Sequence, residues 1–73
     1  MSLQSSPALG LFAQNFKRAR KRAGLSQEDV HKLCGVAASY VSAVERAKRS
    51  VTIGCAERLA GAVNVPLSVL LTP

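Results

Sequence analysis

One glycine, Gly35, constrains the fold of this chain more than any other residue, because a short apolar pattern lies on each side of it. Before the glycine, Val30, Leu33 and Cys34 recur at steps that form one apolar face of a helix. Glycine lacks a Cβ atom and adopts left-handed backbone angles readily, so it ends a helix at little cost. The sequence therefore predicts a short helix that ends at Gly35.

The segment around Gly35 carries further local signals. Ser26 is a favourable N-cap, and Asp29, three residues later, can reach back to the backbone N–H of Ser26. A helix is therefore expected to begin just after Ser26. Beyond the glycine, Val41 and Val44 again lie three residues apart, which indicates a second apolar face. Residues 26–46 are predicted to fold as helix, tight turn and helix.

This pattern resembles the helix-turn-helix family of phage lambda-type repressors, Cro and the XRE regulators, whose second helix lies in the major groove of DNA. The resemblance covers roughly residues 9–71. It rests on Gln27, Gly35, Val41, Val44 and Glu45 in register, followed by the basic segment Arg46-Ala47-Lys48-Arg49. It implies an all-α, five-helix lambda-repressor-like DNA-binding domain that contains a helix-turn-helix, as in Cro and the controller proteins of restriction-modification systems.

The length and charge of the chain agree with this class. A chain of 73 residues has room for one small domain, which is predicted to span 9–73 after a flexible N-terminal arm at 1–8. Ten Lys and Arg residues against four Asp and Glu residues give a net charge of +6, which favours a polyanion as partner. Neither a membrane-spanning run nor a secretory signal is recognisable, so no membrane association and a cytoplasmic location are expected.

Apolar residues at helical spacing predict flanking helices on both sides of the motif. The first runs from about Leu9 and ends at Gly24; another begins after Thr52, an N-cap candidate, and includes Ile53 in its apolar face. The opposite side of the first helix is basic, through Lys17, Arg18, Lys21 and Arg22. These cations either face solvent and complement the helix dipole or, beside a helix-turn-helix, supply one or two phosphate contacts.

The resemblance implies a role in base readout for the helix near residues 37–46. The places that face base edges in the family are occupied by Ala38, Ser39, Ala43 and Arg46. Arg46 is the strongest candidate, because a guanidinium can bond O6 and N7 of guanine together. The two alanines can contact a thymine methyl group but leave this face poor in hydrogen-bonding groups, so DNA shape is expected to contribute.

Five residues are predicted to contact backbone phosphates. Gln27 lies in the first turn of its helix, where free N–H groups and a side-chain amide can grip a phosphate oxygen. Tyr40 and Ser42 have this role by their places in the family. Lys48 and Arg49 follow the second helix, where the chain should pass the DNA backbone. Such contacts position a protein on DNA without specifying the sequence.

Two charged residues are set apart from these contacts. A glutamate at the place of Glu45 would repel phosphate, and in the family an arginine at the place of Arg20 pairs with it. The resemblance therefore implies a structural ion pair between Arg20 and Glu45. His31 departs from the family, which usually has alanine there. It is expected to be a half-exposed packing residue or, alternatively, a histidine that senses pH or touches phosphate.

The last segment suggests a homodimer. Pro66 suits the first turn of a helix, and the short stretch after it is crowded with the apolar residues Leu67, Val69, Leu70 and Leu71. This excess, together with the family's use of the last helix at a two-fold interface, predicts that these four residues form a dimer interface. The alternative is that this helix closes the core of the monomer.

Other classes of function find little support in the sequence. No GxSxG elbow, glycine-rich phosphate loop or CxxC pattern is present, and Cys34 and Cys55 are expected to be reduced core thiols. No enzyme activity, metal, cofactor or small-molecule ligand is therefore predicted.

The predicted function is that of a dimeric repressor that reads an inverted-repeat operator in double-stranded DNA. A protein-interaction module, such as an antitoxin or anti-regulator, is the alternative. It is favoured by the alanine-rich face and the apolar tail and opposed by the basic residues around that face.

Overall fold

The computed structural model describes residues 6–73. They form five helices, α1 (Pro7–Arg22), α2 (Gln27–Cys34), α3 (Ala38–Glu45), α4 (Ile53–Ala62) and α5 (Leu67–Leu70). The predicted all-α, five-helix architecture is thereby confirmed. Over the same residues, no helix is long and apolar enough to cross a membrane.

Helix α1 begins earlier than the sequence analysis placed it. The hydroxyl of Ser6 accepts a hydrogen bond from the backbone N–H of Leu9 at 3.1 Å. Pro7 follows in the first turn, where its missing N–H costs nothing. Pro7 and Ala8 therefore belong to α1 and not to the predicted arm. Residues 1–5 of that arm lie outside the described residues.

Two stacked aromatic rings of α1 form the centre of the core. Phe12 and Phe16 are fully buried, and their ring centroids are 5.8 Å apart. The same cluster includes buried apolar residues from the other helices and from the α3–α4 connector, among them Val30, Val41, Val44, Val51, Leu59 and Leu70. Truncation of either phenylalanine to alanine should destabilise the domain by about 3–5 kcal/mol.

The helix, tight turn and helix predicted for residues 26–46 are confirmed. The hydroxyl of Ser26 accepts from the backbone N–H of Asp29 at 3.0 Å, and the carboxylate of Asp29 accepts from the backbone N–H of Ser26 at 2.8 Å. These hydrogen bonds, chiefly the one from the Ser26 backbone, hold the pKa of Asp29 below its usual range. Gly35 then ends α2 at a φ of +78°.

Two apolar residues that helical spacing assigned to buried faces are exposed instead. Leu33, in the last turn of α2, is 60% exposed, and Ile53, the first residue of α4, is 45% exposed. Both lie at the end of a short helix, where no neighbouring helix covers them. Their predicted place in the core was wrong, because spacing defines a face but does not show how far a neighbour extends along it.

Candidate nucleic-acid interface

The outward face of α3 is the centre of the candidate interface. Val41 and Val44 are fully buried and anchor α3 on the core. On the other side Ser39 and Arg46 are exposed, and the remaining predicted readers and one phosphate candidate are half-buried, namely Ala38, Ser42 and Ala43. A helix with such short side chains fits the major groove, which is about 12 Å wide. The structure therefore brings the predicted base-reading residues onto one accessible face.

Arg46 is the longest side chain on this face and is held loosely. Its Nε donates to the carbonyl oxygen of Ser42 at 3.4 Å, near the limit for a hydrogen bond. Across residues 6–73, no side chain engages its guanidinium. The two terminal nitrogens remain available for the paired acceptors of a guanine edge.

Glu45, the carboxylate beside this face, is neutralised within the protein. Arg20 Nε donates to Glu45 Oε2 at 2.6 Å, and Nη2 donates to Oε1 at 2.9 Å, a two-pronged geometry. The side chains are only 10% and 2% exposed, respectively. The hydrogen bond to Glu45 raises the pKa of the Arg20 guanidinium, against the opposing effect of burial. The ion pair implied by the resemblance is present, and it keeps a bare carboxylate away from phosphate.

Gln27 contacts the same carboxylate, which the sequence analysis missed. Its Nε2 donates to Glu45 Oε1 at 3.2 Å. Because an amide nitrogen carries two hydrogens, the second remains for another acceptor. Gln27 is also the first residue of α2, where backbone N–H groups lack partners inside the helix. The phosphate contact stays a prediction, with the amide now oriented by Glu45.

The connector between α3 and α4, residues 46–52, is folded and basic. Lys48 and Arg49 are exposed there. At its start, Ala47 adopts a left-handed φ of +55°, and the backbone N–H of Lys48 donates back to Ala43 at 2.9 Å. At its end, Val51 is 1% exposed and fixed in the core. The two cations therefore project from an anchored segment.

Tyr40 contacts this connector instead of presenting a free hydroxyl. Its hydroxyl donates to the carbonyl oxygen of Ser50 at 2.6 Å, and the guanidinium of Arg49 lies 5.1 Å from its ring centroid. A phenol carries one hydrogen, so a hydroxyl that donates to Ser50 cannot also donate to phosphate. The predicted phosphate contact by Tyr40 does not fit this geometry. Ser50 lies ten positions after Tyr40 and outside α3, so helical spacing carried no signal for this contact.

Comparison with known proteins agrees with the geometry of the motif and of the exposed α3 face. The profile of the Helix-turn-helix family HTH_3 matches residues 16–70, most of the described chain. This chain belongs to the helix-turn-helix family. The family and the fold are those of DNA-binding regulators.

Individual relatives are similar along most of their length. An uncharacterized HTH-type transcriptional regulator of Sinorhizobium fredii, y4dJ, is 38% identical over 63 residues, which are 86% of this chain and 82% of the relative. The restriction-modification controller protein C.AhdI from Aeromonas hydrophila is 37% identical with a TM-score of 0.80, covering 85% of this chain and 94% of that protein. The controller protein C.Esp1396I has been solved as a tetramer in complex with its natural 35-base-pair operator. It is 27% identical to this chain with a TM-score of 0.82, and the match covers 90% of this chain and 87% of the C.Esp1396I chain.

Two side-chain contacts hold the turn of this helix-turn-helix protein. His31 lies where the family usually has alanine, and its ring Nδ1 is 3.0 Å from the carbonyl oxygen of Val36. Arg58 of α4 donates through Nη2 to the carbonyl oxygen of Cys34. His31 is half-buried, and its contact with Val36 ties α2 to the turn before α3, as expected of a packing residue.

Part of the basic side of α1 faces away from α3. Arg18 and Arg22 line a groove of about 490 Å³ between α1 and the segment around α5. Arg20, two residues from each, lies on the other side of the helix against Glu45. The phosphate role considered for this basic side therefore does not suit Arg18 and Arg22.

The cysteines of this helix-turn-helix protein are free, as expected, and they pack half-buried against the core. Cys55 lies in the first turn of α4, but burial raises the pKa of its thiol. A raised pKa disfavours the reactive thiolate. Within residues 6–73, no group of three or more His, Cys, Asp or Glu side chains is placed to hold a metal ion.

The residues predicted to form a dimer interface divide into two sets. Leu70 is 2% exposed and belongs to the core, so its assignment to a dimer interface was wrong. It is held there because Asn15 Nδ2 donates to its carbonyl oxygen at 2.9 Å. Val69 is 54% exposed, and Leu67 and Leu71 are half-buried. Leu70 therefore closes the monomer core, while a place for Leu67, Val69 and Leu71 in a dimer interface stays a prediction.

Proposed function

We propose that this helix-turn-helix protein is a sequence-specific, DNA-binding transcriptional regulator that acts as a homodimeric repressor. The observation that carries the proposal is the exposed α3 face, on which the terminal nitrogens of Arg46 are available, beside a Glu45 carboxylate that is already paired. Two copies related by a two-fold axis would place one α3 each in successive major grooves, on an inverted repeat with half-sites about 34 Å apart.

The proposed contacts fall into two groups. Arg46 reads a guanine, Ser39 donates to or accepts from a base edge, and Ala38 and Ala43 contact thymine methyl groups. Phosphate contacts come from Gln27, Ser42, Lys48 and Arg49. The tetramer of C.Esp1396I with its operator supports both the DNA partner and self-association as features of a similar protein. The proposal includes neither an enzymatic activity nor a cofactor, and it places the protein in the cytoplasm.

The proposal is tested by selection of bound duplexes from a randomised library at fixed salt, with wild-type protein, Arg46→Ala and Arg22→Ala. Wild type is expected to enrich an inverted repeat. Arg46→Ala should lose the preference for one guanine in each half-site, a discrimination of about 1–3 kcal/mol. Arg22→Ala is the matched control, since it removes an arginine from the groove that faces away from α3. An Arg46→Ala selection identical to that of wild type would contradict base readout by Arg46.

A protein-interaction module is the second candidate, because Leu33 and Val69 are exposed apolar residues and α3 is rich in alanine. Salt concentration separates the two functions. Binding to DNA weakens steeply with salt because phosphate contacts release counterions, whereas an apolar protein interface responds little. Failure of wild type to enrich any sequence, with no salt-dependent binding to duplex DNA, would favour this second candidate.

A further inference from the structure

The side chain of Tyr40, a residue of α3, contacts the connector between α3 and α4. Its hydroxyl donates a hydrogen bond to the carbonyl oxygen of Ser50 at 2.6 Å. The guanidinium carbon of Arg49 lies over its ring, 5.1 Å from the ring centroid. Tyr40 itself is half-buried. A single side chain thus fixes two consecutive residues of the segment that carries the exposed cations.

We infer that Tyr40 is a positioning residue for DNA binding, which holds Arg49 in the orientation that meets a phosphate. This inference rests on the proposed function. An arginine side chain that is free in solution loses rotamer freedom when it binds, and this loss opposes binding, as it does for other interface side chains. Stacking on Tyr40 removes part of that freedom before DNA arrives, so more of the phosphate attraction appears as affinity.

The surrounding backbone makes this positioning effective. The connector is bonded back to α3 through the N–H of Lys48, and Val51 anchors it in the core. Tyr40 acts between these two fixed points. Lys48 is the adjacent cation of the same connector, but no aromatic ring holds it within the described residues. The two cations therefore form a natural comparison, in which one depends on Tyr40 and the other does not.

A double-mutant cycle tests the inference with a mixed-sequence duplex of about 30 base pairs, long enough for two half-sites one helical turn apart. The variants are Tyr40→Leu, Arg49→Ala, Lys48→Ala, and the pairs that combine Tyr40→Leu with each alanine substitution. Arg49→Ala should weaken binding about tenfold, as loss of a charge-assisted hydrogen bond does. Tyr40→Leu should weaken it nearly as much, and the pair with Arg49→Ala should be no weaker than Arg49→Ala alone. In the variant that combines Tyr40→Leu with Lys48→Ala, the two fold-losses in affinity should multiply.

The salt dependence supplies a readout that a merely structural role for Tyr40 would not change. Each phosphate contact contributes about 0.9 to the slope of log K against log salt. Tyr40→Leu removes no charge, yet it should lower the slope toward that of Arg49→Ala. Tyr40→Phe keeps the ring and should retain the wild-type slope. Thermal unfolding is measured for every variant, and binding is then compared at a temperature at which all of them are folded.

Three results would overturn the inference, and the last of them is distinguishable from the first two. If wild type binds the duplex but Tyr40→Leu and Arg49→Ala multiply in the pair, Tyr40 acts independently of Arg49, and only this inference fails. An unchanged salt slope in Tyr40→Leu leads to the same conclusion. If wild-type protein shows no salt-dependent binding to duplex DNA, the proposed function fails, and this inference fails with it.

Discussion

Arg20 shows how one residue can serve binding without touching DNA. Its Nε and Nη2 donate to Glu45, and its Nη1 donates to the carbonyl oxygen of Leu25 at 2.8 Å. These hydrogen bonds join α1, the loop before α2 and the end of α3. An arginine suits this place because its planar fork matches a carboxylate, whereas lysine would offer only a point charge.

We expect Arg20→Ala to destabilise the domain by about 3–5 kcal/mol, because it leaves the nearly buried carboxylate of Glu45 without its cation, with only the long hydrogen bond from Gln27 remaining. The free energy of unfolding, measured in urea, checks this value. Arg22→Ala is the control, since Arg22 is exposed and its loss should change stability by no more than about 0.5 kcal/mol. A similar small change for both variants would show that the Arg20–Glu45 pair contributes little to folding.

At the scale of the elements, the end of α2 depends on α4. Gly35 has a φ of +78°, and a Cβ atom at this position would lie 3.3 Å from Nη2 of Arg58. The same Nη2 donates to the carbonyl oxygen of Cys34, at the exposed end of the helix. The turn of the motif is thus held by its own glycine and, from outside, by an arginine of the next helix.

Gly35→Ala should therefore destabilise the domain more than Gly24→Ala does. Both glycines have left-handed angles, which cost alanine about 1–2 kcal/mol. At Gly24 a Cβ atom would enter open space, whereas at Gly35 it crowds Arg58 and weakens a hydrogen bond worth about 0.5–1.5 kcal/mol. Chemical denaturation measures the difference, which should disappear when Arg58→Ala is present in both proteins. Equal losses in the wild-type background would rule out the contribution of Arg58.

The elements were predictable where their signals are local. The capping box of Ser26 and Asp29 and the left-handed Gly35 lie within a few residues of the helix ends they define, so the sequence located α2 well. The exposure of Leu33 depends on where other helices end. The Tyr40 contact with Ser50 depends on the path of the connector. Such long-range features produce no periodic pattern in the sequence. They account for the wrong predictions at the candidate site.

At the scale of the whole molecule, α5 completes the monomer and leaves one apolar residue uncovered. Leu70 is buried, while Val69 next to it is 54% exposed beside the groove between α1 and α5. A small domain buries a modest share of its surface on folding, so shared apolar surface between two copies adds stability. The proposed dimer therefore depends on Val69, with Leu67 and Leu71 at the edge of the contact.

Val69→Glu should convert the dimer to a folded monomer, because it places a carboxylate of each copy in an apolar interface, at a cost greater than an exposed pairing with Arg18 or Arg22 of the same groove returns. Sedimentation equilibrium should report a species near the chain mass of 7.7 kDa instead of twice that value. Circular dichroism should stay unchanged, since Val69 is not part of the core. Leu33→Glu is the matched control, because Leu33 is 60% exposed and lies on α2, outside the predicted interface. On DNA, Val69→Glu should bind single half-sites without cooperativity. If Val69→Glu remains a dimer, or if Leu33→Glu dissociates equally, the two copies associate through a different surface.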